Sequence, residues 1–161
     1  MYVADMTPAI EELKRRSVTY QVHEYSHDPA SQSYGEEAAE KLGLSSDRVF
    51  KTLIVSDTSD ELACAIVPVN SSLDMKAMAK VLKVKRLTMA APSRVARSTG
   101  YVLGGVSPVG QKKALQTIVD DSASKFDTIF VSAGRRGLEV ELSWQSLVEI
   151  TSAEMAEIRQ T

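Results

Sequence analysis

Thiol and imidazole are scarce in this chain: its 161 residues hold one cysteine, Cys64, and two histidines, His23 and His27. A lone thiol can close no internal disulfide and build no CxxC metal site, which agrees with a reducing compartment. No run of eighteen apolar residues occurs, so no membrane helix is expected. The first ten residues carry Asp5 and no apolar stretch, which argues against a signal peptide and leaves the cytoplasm as the expected location. Repeats and low-complexity segments are also missing. Length and composition fit one globular domain over residues 1–161.

Negative charge is absent from a long stretch. Between Met75 and Val119 there is no aspartate or glutamate, yet Lys76, Lys80, Lys83, Lys85, Arg86, Arg94, Arg97, Lys112 and Lys113 all fall there. Since the whole chain carries a net charge of −2, the remainder is strongly acidic. One positive face on an acidic protein suits a polyanion, and solvated outer faces of helices are the alternative.

The glycines gather in GYVLGGVSPVGQKK, Gly100 to Lys113. Adjacent Gly104 and Gly105 followed by Ser107, Pro108 and Gly110 make a loop whose N–H groups can cradle a carbonyl oxygen or phosphate, or a plain structural turn. Its spacing is neither that of a Walker loop nor GxGxxG, and no cofactor is expected.

Both histidines lie in HEYSH, which matches the zinc-protease pattern HExxH. That pattern holds a metal only on a helix, where residues four apart are stacked. Here the β-forming run Thr19 to Tyr25 predicts a strand, and Asp28-Pro29 stops any helix. On a strand the two imidazoles stand about 13 Å apart. No metal site is therefore expected.

Alternation from Val49 to Val55 sets Val49, Lys51, Leu53 and Val55 on one strand face. Lys51 thus aims along a largely apolar surface, where an ammonium needs an internal carboxylate, a path to water or an anionic ligand. Cys64, within the returning strand Glu61 to Val67, reads as a small buried hydrophobe.

The remaining elements follow from local signals. Thr7-Pro8 opens a helix ending near Ser17, and Ser33 with Glu36 forms a capping box for a helix stopping at Gly43. Leu73 to Leu82 is amphipathic, with Met75 and Met78 inward and Lys76 and Lys80 outward. Further strands are expected near Arg86 to Met89, Thr117 to Asp120 and Asp127 to Ser132, with a helix after Pro92. In SAGRRGLEVEL, Leu138, Val140 and Leu142 share one face, and Glu139 and Glu141 the other. Two helices close the chain, one after Ser143 and one after Thr151, capped by Glu154. Interspersed strands, hairpins and helices predict a mixed α/β fold.

VFKTLIV around Lys51, STGYVLGGVSPVGQKK, VSAGRRGLEVEL and SHDPA together resemble the signatures of the YbaK and prolyl-tRNA editing domain family, from about Thr7 to Glu157. Within it the chain looks most like the free-standing cysteinyl-tRNA(Pro) deacylases. The resemblance implies a curved, barrel-like mixed sheet surrounded by helices and a pocket with neither metal nor enzymic covalent nucleophile. It implies that Lys51 is critical, that Gly104, Gly105 and Ser107 hold the aminoacyl ester, and that Ser132 and Gly134 lie on a second loop. Tyr25 and Tyr34 match aromatic positions near the tRNA 3′ end. The family pattern differs at three positions, with phenylalanine expected at Tyr34, glycine at Ala133 and aspartate at Glu139. Ala133 is therefore expected to narrow the second loop, and Glu139 to reach the substrate differently.

The implied activity is trans-editing, by hydrolysis of cysteine misattached to tRNA(Pro), with the thiol of the substrate attacking its own ester. Cysteine and proline are close in size, and pockets separate small side chains by only about 1–3 kcal/mol, so a second site must remove the errors. Lys76, Lys80, Arg97, Lys112 and Lys113 are expected to meet acceptor-stem phosphates. Prolyl-tRNA synthetase is the expected transient partner. A noncatalytic RNA-binding domain that keeps the pocket is the alternative of a different class, and a zinc hydrolase using His23 and His27 is a third.

Overall fold

The computed structural model describes residues 6–31 and 33–161, and Asp5 lies outside the described residues. Helix α1, Pro8–Arg15, begins where Thr7 Oγ1 accepts the Ile10 N–H, and buries Ala9, Ile10 and Leu13. The same hydroxyl donates to Ala133 O at 2.5 Å, which ties the helix to a distant strand. Strand β1, Gln21–Glu24, leads to α2, Tyr34–Leu42, which ends at Gly43 in the left-handed conformation. Ser33 stands at the N-cap without a side-chain hydrogen bond, so the capping box expected from Ser33 and Glu36 does not form. Glu36 instead lines a cavity.

Two sheets organise the rest. One has the order β1-β7-β6, where β6 is Thr128–Arg135 and β7 is Leu138–Ser143, antiparallel throughout. The other has the order β4-β2-β3-β5-β8. In it, β2, Phe50–Asp57, and β3, Leu62–Pro68, form the expected hairpin with Lys51 opposite Val67. Strand β4, Leu87–Met89, is antiparallel to β2, whereas β5, Gln116–Asp120, runs parallel to β3. The sheets are linked by a parallel bridge between Val49 and Phe130. Helices α3, Met75–Leu82, α4, Pro92–Thr99, and α5, Trp144–Thr151, complete the mixed α/β architecture.

The helix expected after Thr151 is a strand. Ser152 takes φ 53° and ends α5, and β8, Glu154–Ala156, then pairs in parallel with β5. A tertiary anchor overrides the local capping signal. Asp120, fully buried, accepts the Ile158 and Arg159 N–H groups on Oδ1, both at 3.0 Å, and the Ser122 N–H on Oδ2 at 3.1 Å.

The larger core cluster joins both sheets through Leu13, Phe50, Ile66, Ile129 and Leu142, and a second gathers Val67, Met78, Ile118 and Ile158 under α3. Each such side chain contributes about 1.5–3 kcal/mol by leaving water. That rigid frame positions the loops.

Candidate active site

A cavity of about 300 Å³ opens at the start of β2, between the Gly104 loop, the β6–β7 hairpin and the start of α2. Lys51, Tyr25, Tyr34, Gly104, Ser132 and Glu139, all singled out in the sequence, line it together.

Lys51 is half-buried, and burial lowers its pKa while the Glu36 charge acts in the opposite direction. It makes no ion pair with any described carboxylate, so the internal pair considered for it is not formed. Glu139 is more unusual. Strand alternation does put it opposite Leu138 and Val140, but that face is not solvent: Glu139 is only 7% exposed, opposite Ser132 on one neighbour and His23 on the other. No described residue donates a hydrogen bond to its carboxyl, and burial pushes its pKa up to about 8. Burial, and then the Glu139 charge, also push the Tyr25 hydroxyl up to about 12.

The glycines are required by contact as well as conformation. Gly104 has φ 90°, and a Cβ there would stand 2.5 Å from Arg136 Nε and 2.8 Å from Tyr34 Cε2. At Gly105 a Cβ would meet the Arg135 Cα at 2.9 Å. The Gly105 N–H is engaged by Val102 O at 2.9 Å, whereas the N–H groups of Gly104 and Val106 have no acceptor among the described residues.

Ser107 sits in this loop but is fully buried and absent from the cavity lining. Its Oγ accepts the Val109 N–H at 3.2 Å, and its carbonyl accepts from Gln111 Nε2. Gly134, at φ 112°, shapes the bulge of β6 next to Tyr101 and Thr7, and does not line the cavity either. Ala133 packs wholly into the core, so the methyl expected to narrow the second loop points elsewhere.

Several lining residues escaped the sequence reading. Thr52 Oγ1 is buried at the cavity without a hydrogen-bond partner. Arg136 places its guanidinium 4.0 Å from the Tyr34 ring centroid and donates from Nη2 to Leu103 O at 3.2 Å, clasping the α2 start to the glycine loop. The second glycine motif, SAGRRG, carried the signal for Arg136, whereas nothing in local alternation distinguishes Thr52.

Cys64 and the two histidines are not among the residues that line this cavity. Cys64 is fully buried, and loss of hydration pushes its thiol up to about 12. His23 Nε2 engages Glu141 at 2.9 Å and His27 Nδ1 engages Glu37 at 2.7 Å, so the HEYSH imidazoles turn to different carboxylates. Lys76 and Lys80 lie on α3, while Arg97, Lys112 and Lys113 line a separate cavity.

Fold and pocket define a class. The chain belongs to the aminoacyl-tRNA editing domain family, whose model matches residues 27–150. A protein of Enterococcus faecalis (strain ATCC 700802 / V583), named "Putative Cys-tRNA(Pro)/Cys-tRNA(Cys) deacylase EbsC", is 34% identical over 152 residues, 94% of this chain and 92% of that one. The solved structure of "hypothetical protein APE2540" is 27% identical with TM-score 0.85, covering 96% of this chain and 100% of its own. A structure described as "a putative trans-editing enzyme for prolyl tRNA synthetase" has TM-score 0.86 at 22% identity, with complete coverage of both chains, and shares the fold. No helix among the described residues is long and apolar enough to cross a membrane.

Proposed function

We propose that the chain is a trans-editing aminoacyl-tRNA deacylase that removes cysteine from tRNA(Pro). The observation that carries this reading is the pairing, in one cavity, of Lys51 and buried Glu139, which among the described residues have no ion-pair partner and no hydrogen-bond donor respectively. Groups left unsatisfied in a folded protein are costly, and a ligand of complementary polarity relieves the cost. An aminoacyl ester has that polarity: an α-ammonium for Glu139 and carbonyl or ribose oxygens for Lys51. The name of the E. faecalis relative supports the substrate class.

In this reading Tyr25, Tyr34 and Ser132 bound the acyl group and the terminal nucleoside. Gly104 and Gly105 let the loop approach the ester, and the Gly104 and Val106 N–H groups polarise its carbonyl. Ser107 holds the loop in shape, and Gly134 shapes the second loop. The substrate thiol attacks the ester carbon: a C–S bond forms, the C–O bond to the ribose breaks, and the thiol proton ends on the released ribose oxygen. The product is a thiolactone, which water opens. Intramolecular attack of this kind reaches effective molarities of about 10⁵ M or more. Residues of the basic stretch meet the tRNA, and prolyl-tRNA synthetase presents it in a transient cytoplasmic complex.

The test is tRNA(Pro) charged with 2-aminobutyrate, which has a methyl where cysteine has its thiol. The cysteine ester should be hydrolysed and the aminobutyrate ester should bind yet persist. Comparable rates for both would replace thiol attack by water, and stability of both would remove the deacylase reading.

A further inference from the structure

A second cavity, about 760 Å³, lies at the other end of the β2–β3 hairpin from Lys51. Asp57, Glu61 and Leu62 form its hairpin wall, and Arg97, Lys112 and Lys113 its basic wall. The acidic wall is partly occupied within the protein. Asp57 Oδ1 accepts the Ser59 and Glu61 N–H groups, Asp60 lies 3.7 Å from Arg94, and the Glu61 carboxylate has no partner among the described residues.

On the basic wall Arg97, Lys112 and Lys113 form no ion pair among the described residues. Outside the acid-free stretch Arg15, Arg16, Lys41, Arg48, Arg135 and Arg159 pair with carboxylates, while Lys14, Lys51, Lys125 and Arg136 form no ion pair among the described residues. Within it, among the described residues, only Arg94 is paired. Capping of α4 does not account for Lys112 and Lys113, because their backbone N–H groups already satisfy the Thr99 and Ser98 carbonyls at 2.9 and 3.0 Å. Those two bonds also fix the pair against the helix end. Ser98 Oγ, on the same cavity, is buried with no hydrogen-bond partner among the described residues.

We infer that this second cavity is a docking site for backbone phosphates of the double-helical stem of an RNA, held by Arg97, Lys112 and Lys113 with Ser98 as an added donor. The inference rests on the aminoacyl-tRNA reading of the first cavity. Spacing favours it: six residue steps along β2 lead from Lys51 to Asp57, about 20 Å at about 3.3 Å each. A single-stranded 3′ end of four nucleotides covers about 14 Å when stacked and more when splayed. An ester in the first cavity therefore puts the first stem phosphates beside the second. Lys76 and Lys80, which do not line the cavity, are left out of this contact.

The experiment measures binding of uncharged tRNA transcript and of a stemless 3′-terminal tetranucleotide, across a salt series, by wild type and by the combined Arg97→Gln, Lys112→Gln and Lys113→Gln variant. The variant should bind the tRNA about 10–100-fold more weakly at low salt, with the slope of log affinity against log salt reduced by about 2–3. Its affinity for the tetranucleotide and its melting temperature should match wild type. A comparison variant, Lys14→Gln with Lys125→Gln, removes exposed charge elsewhere and should leave both affinities unchanged. Unchanged tRNA affinity and slope in the first variant, an equal loss in the comparison variant, or an equal loss for the tetranucleotide would each overturn the site. Binding needs no turnover, so these outcomes stay separate from failure of the deacylase reading, which shows as a stable cysteine ester.

Discussion

Neither Lys51 nor Glu139 has an ion-pair partner among the described residues, and substitution at each should separate function from stability. Lys51→Ala should lower deacylation by more than a hundredfold while the melting temperature stays within a few degrees of wild type, since the described residues offer no ion pair to lose. Thermal melts beside single-turnover assays check this, and activity that merely tracks the folded fraction would count against it. For Glu139 the folded pKa of about 8 lies above the ordinary carboxyl value of 4.5. The folded state then binds more protons than the unfolded state between those values, so its contribution to stability is full below pH 4.5 and declines as pH rises toward 8. Glu139→Gln should escape this decline and gain several degrees on wild type between pH 5 and pH 8, read as the difference between their melting curves. Strand alternation was enough to single out Lys51 as a misplaced charge. It gave no warning of Glu139, because a carboxylate opposite a leucine face normally means solvent, and here the start of α2, β2 and the Gly104 loop enclose that face around the cavity.

At the level of elements, helices with apolar periodicity and the β2–β3 hairpin were legible because their signals are local. Strand β8 was not. Thr151 and Glu154 have capping-box spacing, while Asp120, more than thirty residues earlier, holds the N–H groups that keep the following backbone extended. Asp120→Ala would leave three buried or half-buried amide donors without their acceptor, at about 1–3 kcal/mol each when fully dry. We expect a loss of about 3 kcal/mol or more in urea denaturation, with faster amide exchange in β8 than in β3. Equal protection in both strands would show that β5 retains β8 unaided. The glycine loop was recognisable by composition, but its chief constraint, the Arg136 side chain packed between Gly104 and Tyr34, comes from a hairpin thirty residues away.

For the whole molecule, the mixed α/β class was readable from the order of elements, and the split into two bridged sheets was not, since it depends on which strand edges meet. The larger core cluster draws side chains from both sheets. On that basis we propose that the chain behaves as one unit, so fluorescence of Trp144 and far-ultraviolet circular dichroism should report one coincident thermal transition. Two separated midpoints would divide the chain into independent parts. The central strand adds a kinetic consequence. On one side β3 meets its hairpin partner β2, and on the other it waits for β5, a parallel neighbour about fifty residues further along. The hairpin can zip early, but until α3, β4 and α4 have been gathered in, the free edge of LACAIVP is exposed. Such an edge pairs as readily with another copy as with its own chain, so during refolding the hazard of aggregation is concentrated in the interval before β5 arrives.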